Sequence, residues 1–218
     1  SVQGLAKKTS NPRFAYDSYR RLIQMFGNVV LGIPGYEFDN YLEDKKDEKN
    51  YDNDTDLTVE DLKDIIEDFK ALIKNRKDIE FPQKPEEQLL MAVKAVFSSW
   101  NNNRAISYRN HNDIPHDLGT AVNIQTMVFG NIGENSGTGV AFTRNPATGE
   151  NKVFGEFLLN AQGEDVVAGI RTPKDISELN NLMPDVYDEF IEVTETLEQH
   201  YKDMQDIEFT IQEGELYL

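Results

Sequence analysis

Apolar residues fall at helical spacing through the first third of the chain and at alternating spacing through much of the last third. Asn11 can cap a helix that opens with Pro12, and Phe14, Tyr19, Leu22, Ile23 and Phe26 then mark one face before Gly27, which reads as its stop. A second helix is expected from about Tyr36 into a charged segment. Thr58 and Asp61 have capping-box spacing, and Leu62, Ile65, Ile66, Phe69, Leu72 and Ile73 follow as a strong apolar stripe. Residues 1 to about 81 therefore read as three or four helices packed together. Phe81-Pro82 and Lys84-Pro85 punctuate the chain, and a helix from Pro85 would turn Leu89, Leu90, Val93, Val96, Phe97 and Trp100 inward.

Beyond that helix the period changes to two. Residues 121–128 read as a strand with Val122 and Ile124 on one face and Asn123 and Gln125 on the other. Residues 140–143, 152–160 and 166–170 read as three more, and in 152–160 Val153, Phe157 and Leu159 share a face. Pro184 opens a helix whose inward side would be Val186, Phe190, Leu197, Tyr201 and Met204. Residues 206–218 return to strand as a hairpin around Glu213-Gly214, stopped inside its second strand. Helices first and a mostly antiparallel sheet later give an α+β protein, with no internal repeat and no low-complexity linker.

Composition narrows the function classes. The chain has 218 residues, a formal charge of −17 and no cysteine. Disulfides and thiolate chemistry are excluded. The acidity argues against non-specific nucleic-acid binding, which needs Lys and Arg to displace counterions. Acids crowd residues 37–68, whereas Arg144, Lys152 and Arg171 lie near a glycine-rich stretch. No apolar run is long enough to span a bilayer and no signal peptide opens the chain, so a soluble, cytoplasmic protein without membrane partners is expected. Ser1 in place of an initiator Met, and the interrupted hairpin, point to an excised piece of a longer protein. Asp52, Asp54 and Asp56 suggest a calcium loop, but Leu57 and Lys63 stand where Gly and Glu are needed, leaving a solvated acidic loop.

Two features could carry chemistry. Ser136-Gly137-Thr138-Gly139 pairs flexible backbone with a hydroxyl, which suits a loop that turns successive N–H groups onto phosphate; it equally suits an ordinary hairpin loop. Asp206 and Glu208 stand two apart on a strand, so both carboxylates share a face while Ile207 and Phe209 bury the other. That supplies oxygen ligands for a hard cation such as Mg²⁺, or simply the polar side of a half-exposed strand. Glu164 and Asp165, after Gly163, either line a site or start a strand. Arg104, Arg109 and Arg144 are anion contacts or ordinary surface residues.

Specific strings carry a resemblance. S-G-T-G-V-A-F-T-R-N-P-A-T-G-E at residues 136–150 and L-N-A-Q-G-E-D-V-V-A-G-I-R-T-P at 159–173 are similar to the pyruvate, phosphate dikinase family, in its nucleotide-binding domain of the ATP-grasp kind. N-P-R-F-A-Y-D-S-Y-R-R from Asn11, A-V-K-A-V-F-S-S-W to Trp100 and D-M-Q-D-I-E-F-T-I to Ile211 extend it over nearly the whole chain, leaving about 36–56 as variable. The resemblance implies a helical insertion subdomain at 1–82, part of the first ATP-grasp lobe at 83–128, and the second lobe, cut at its last strand, at 129–218. It implies that Asp206 and Glu208 bind Mg²⁺ and nucleotide and carry the catalysis. It places Thr138 and Gly139, with Gly137, over the phosphates of ATP. Gln125, Met127 and Val128 would cradle adenine, with Glu164 lining the site.

The family interconverts ATP, pyruvate and phosphate with AMP, phosphoenolpyruvate and pyrophosphate. It does so through a histidine in a G-G-x-T-S-H motif on a separate swivelling domain. His111, His116 and His200 lie in other contexts and are expected to be surface or structural residues. The family's N-terminal Lys and Arg, and its Gln and Arg in L-Q-T-R, have no counterpart in residues 1–218. A homodimeric parent is implied. Phosphoenolpyruvate synthase, with the same nucleotide domain, and a non-catalytic acidic binding module remain the alternatives.

Overall fold

The computed structural model describes residues 1–167, 169 and 171–218. The chain divides into two units, Ser1–Ile124 and Gln125–Leu218. The class is α+β, as the periodicities predict, with helices in the first unit and an antiparallel sheet in the second.

The first unit begins with α1 (Val2–Thr9) and α2 (Pro12–Met25). Asn11 caps α2 by accepting from the Phe14 N–H at 3.0 Å, with Pro12 in the first turn. Gly27 does not stop this helix. The chain continues into a π-helical turn, Phe26–Val30, and Gly27 is there for space: a β-carbon on it would sit 2.3 Å from Cζ of Phe38. Leu22, expected on the inner face, is exposed. α3 (Gly35–Lys49) follows, then α4 (Val59–Lys77), whose capping box forms as its spacing predicts. All six stripe residues of α4 are buried and build the core with Ile23, Phe26, Ile33, Phe38, Leu42 and Phe81.

The acidic loop before α4 is not simply solvated. Asp54 pairs with Lys46 at 3.1 Å, and Arg13 donates to the backbone oxygens of Asp54 and Leu57 at 2.6 and 3.0 Å. These bonds pin the loop to α2 and α3, and the Lys46 pair gives Asp54 a role that needs no calcium.

α5 (Pro85–Ser99) forms, but none of its residues is buried. Leu89, Leu90, Val96 and Phe97, expected inward, are exposed. The helix rests on the core through Met91, on another side, because periodicity fixes which residues share a face and not what covers it. α6 (Asn103–His111) completes the unit. Residues 121–128, expected as a strand, carry none: a strand exists only through a ladder partner, and none lies beside them among the described residues.

In the second unit the elements run β1 (Gly137–Phe142), β2 (Phe154–Leu159), α7 (Gly163–Val167), β3 (Lys174–Asp175), α8 (Leu179–Leu182), α9 (Pro184–Tyr201), β4 (Asp206–Gln212) and β5 (Glu215–Tyr217). The sheet order is β3-β2-β1-β4-β5, antiparallel throughout. One face, with Ala141, Phe157, Ile207, Phe209 and Ile211, packs on Ile176, Leu179, Val186 and Phe190. The rings of Phe190 and Phe209 lie 4.7 Å apart. Val186 and Phe190 face inward as expected and Leu197 packs beside them, but Tyr201 and Met204 are exposed, and Thr194 takes a buried position instead. The β4–β5 hairpin turns at Glu213 and Gly214, both with positive φ (53° and 85°), as a two-residue primed turn requires.

Two expected elements differ. Val166 and Val167 belong to α7 rather than a strand, while Ala168 and Ile170 of the same stretch lie outside the described residues. Residues 137–139 are not a loop of either kind. They begin the central strand β1, where the glycines give room for close neighbours: a β-carbon on Gly137 would lie 2.6 Å from the Leu158 carbonyl oxygen.

Candidate functional site

The alternation of β4 decides what its carboxylates face. Ile207, Phe209 and Ile211 are buried against α9, so Asp206, Glu208, Thr210 and Gln212 share the other side. The register then sets the cross-strand rows. Glu208 lies beside Val140, which has Glu156 on its far side; Asp206 lies beside Phe142, then Phe154; Thr210 lies beside Thr138, then Leu158. Val166 of α7 and Ala161 close over Leu158, so Glu164, exposed on α7, stands on the same side of the sheet as Glu208. Asp206, Glu208 and Glu156 remain exposed. No ion pair satisfies Asp206 or Glu208 among the described residues.

The phosphate-loop geometry is corrected at Thr138. This residue is buried and its hydroxyl donates to the Phe209 carbonyl at 3.0 Å. With β1 paired on both sides, the N–H groups of residues 137–139 face neighbouring strands instead of converging on an anion. Thr138 and Gly139 are therefore part of the sheet under the carboxylate row, and Gly137 and Gly139 provide thinness, not donors.

A groove of about 410 Å³ opens on this side at the end nearest Asp206, lined by Val140, Phe142, Phe154, Gly155, Glu156, Pro173, Lys174 and Asp175. Its floor is apolar and its rim charged. The Ser177 side-chain and backbone donors hold the Asp175 carboxyl below its usual value, with Lys152 adding to the effect.

At the opposite end of the strands three loops are stitched together. Ser136 Oγ accepts from the Glu213 N–H at 2.9 Å, Asn135 O from Gly214 at 2.9 Å, and Gly130 O from Ala161 at 3.0 Å. Gly130 is obligatory: a β-carbon there would meet Ala161 O at 2.3 Å. Gln125 and Met127 are exposed and Val128 half-buried as the chain enters this knot. The Phe129 N–H donates to Gln212 Oε1 at 2.7 Å. Asp165 accepts from the Gln162 N–H at 2.8 Å, so it caps α7 and does not start a strand.

Of the three arginines that read as anion contacts or ordinary surface residues, Arg144 and Arg109 bond within the protein. Arg144 donates to Glu198 at 2.6 Å. The Thr143 hydroxyl and then Arg144 hold the Glu198 carboxyl below its ordinary value. Arg109 is buried; it donates to Trp100 O at 2.6 Å and His116 Nδ1 at 3.0 Å and stacks 4.0 Å over the Trp100 ring. Arg104 is exposed. His116 bridges Arg109 and Asn110, whereas His111 and His200 lie exposed at helix ends, in keeping with structural or surface roles.

Could the site hold a cation? No group of three or more His, Cys, Asp or Glu side chains gathers to bind a metal among the described residues. Two exposed carboxylates sharing one side of a strand do fit Mg²⁺, which is held by one or two carboxylates together with substrate phosphates. Sequence reasoning missed Gln212 and the groove aromatics Phe142 and Phe154. The alternation in β4 already placed Gln212 in line with Glu208, but nothing local marked its partner.

Comparison with known proteins shows the family. The profile of the family described as "Pyruvate phosphate dikinase, AMP/ATP-binding domain" matches residues 53–186, and the chain belongs to that family. It is 61% identical over 218 residues to pyruvate, phosphate dikinase of Clostridium symbiosum, covering 100% of this chain and 25% of that protein. It is 59% identical over 217 residues to the chloroplastic enzyme of Flaveria bidentis, covering 100% of this chain and 23% of that protein. The chain thus spans about a quarter of the length of the curated relatives it matches. No helix among the described residues is long and apolar enough to cross a membrane.

Proposed function

We propose that this chain is the ATP-binding part of a pyruvate, phosphate dikinase, which converts ATP, pyruvate and phosphate to AMP, phosphoenolpyruvate and pyrophosphate. The observation that carries the reading is the pair Asp206 and Glu208, exposed together on one side of β4 in a chain of this family. Asp206 and Glu208 hold Mg²⁺, which when bound supplies positive charge to the nucleotide phosphates. Thr138, fixed by its bond to Phe209, forms the floor beneath the phosphates, with Gly137 and Gly139 flanking it in β1. Gln125, Met127 and Val128 meet the adenine, and Glu164 stands at the rim.

In this reading residues 1–82 are a helical insertion, 83–128 contribute to one ATP-grasp lobe and 129–218 form most of the other. The phosphoryl group leaves for a histidine on another domain of the same polypeptide, since His111, His116 and His200 lie in other contexts than the family's G-G-x-T-S-H motif. The parent is a cytoplasmic homodimer.

The test is product analysis on the full-length protein with ATP and pyruvate. Pyrophosphate and AMP formed only when phosphate is added support the reading. Phosphoenolpyruvate formed without added phosphate identifies a synthase instead, and absence of Mg-ATP binding by calorimetry identifies a non-catalytic module.

A further inference from the structure

Gln212 closes β4 on the same side as Asp206 and Glu208, and it reaches 83 residues back along the chain. Its Oε1 accepts the Phe129 N–H at 2.7 Å, and only the amide oxygen can meet a backbone donor, so the orientation of the side chain is fixed. Phe129 directly follows Val128. The bond therefore ties the segment that carries Gln125, Met127 and Val128 to the strand that carries the carboxylates. Glu208 and Gln212 are four residues apart, about 13 Å along a strand, comparable with the reach of an extended nucleoside triphosphate. The neighbouring bonds, Ser136 to Glu213 and Asn135 to Gly214, hold the turn and the loop but not the segment that precedes Phe129.

We propose that Gln212 is a positioning residue: it fixes the base-binding segment at a set distance from the carboxylates, so that base and phosphates are engaged together. This rests on the function proposed above. Loss of the acceptor would remove this cross-chain bond and loosen the distance it sets, which weakens whatever contacts the base and spares whatever contacts only phosphate.

The experiment is calorimetric titration of the full-length protein with Mg-ATP and, separately, with Mg-tripolyphosphate, which has the phosphates and no base. Gln212→Met should weaken Mg-ATP by about tenfold and leave tripolyphosphate within about twofold. Gln212→Glu keeps the acceptor and should restore the ratio of the two affinities, even where its charge lowers both. Should Gln212→Met fail to fold, Gln212→Asn, one methylene too short to reach Phe129, replaces it with the same expectation. Equal weakening of both ligands, or of neither, overturns the role of Gln212. Glu208→Gln, run alongside, should weaken both ligands. If it weakens neither, or if the unsubstituted protein does not bind tripolyphosphate, the site itself is misassigned and the role of Gln212 falls with it.

Discussion

The ring of Phe209 occupies the space where a side chain on Gly139 would begin. A β-carbon there would meet Cζ of Phe209 at 2.5 Å and the Glu156 carbonyl oxygen at 2.6 Å. The ring itself is wedged against Phe190 and cannot withdraw cheaply. Gly139→Ala should therefore cost roughly 1–3 kcal/mol or more, the usual penalty for overpacking a filled core. Gly133→Ala, where nothing lies within 4 Å, should be close to neutral. Urea unfolding of both variants checks the contrast; equal stability would mean that the sheet has slack at Gly139.

Acid sensitivity should be greatest in the first unit, where two lowered carboxyls, Asp17 and Asp61, are buried. The Thr58 hydroxyl, donating at 2.5 Å, and its N–H at 2.9 Å hold the Asp61 carboxyl below its ordinary value, with Lys49 and Lys45 adding to the effect. Burial alone would raise Asp17, but Arg20 and Arg21 outweigh it and hold it down as well. Carboxyls lowered by folding stabilise fully above their unfolded pKa of about 3.9, and that stability is lost as pH falls through the folded values. The unit should lose stability below about pH 4. Asp17→Asn should flatten that dependence and cost about 3 kcal/mol at neutral pH, because it leaves buried Arg20 with only the more distant Asp54 carboxylate, 3.9 Å away. Circular dichroism melts from pH 2 to 7 report both; an unchanged slope contradicts the assignment.

Arg109 should act on structure and not on anions. Lys cannot stack flat on Trp100 while also reaching Trp100 O and His116 Nδ1. Arg109→Lys is expected to cost about 1–3 kcal/mol. It should also make Trp100, the single tryptophan, more accessible to acrylamide quenching. Unaltered quenching would show that the stack does not restrain the ring.

Which parts of this architecture could be read from the chain follows from how local each cause is. The caps at Asn11 and Thr58 and the stripe of α4 involve residues within a few turns, and they appear as spaced. The shared side of Asp206 and Glu208 follows from alternation alone. Cover is not local. Nothing in the spacing of Leu89, Leu90, Val96 and Phe97 says what lies against them, and the strand expected at 121–128 needed a partner that its own residues cannot specify. Glycine was the most ambiguous signal. Freedom of φ and absence of a side chain look the same in a sequence, and Gly27, Gly137 and Gly139 are there for the second reason. The bond from Gln212 to Phe129 spans 83 residues and had no signature at all.

The central claim is that Glu208 serves phosphoryl transfer from ATP. Glu208→Gln keeps the size of the side chain and removes its charge, and Ile207 and Phe209 still bury the other side of β4, so stability should change little. Electrostatic groups placed at a developing charge are worth about 10²–10³-fold in rate each. In the full-length enzyme the variant should lose about that factor in the half-reaction between ATP and the carrier histidine. The half-reaction between phosphoenolpyruvate and that histidine should be nearly untouched. Measuring both on this one variant is the most direct test: selective loss of the ATP half-reaction is the predicted result, and equal loss in both, or loss in neither, contradicts the account.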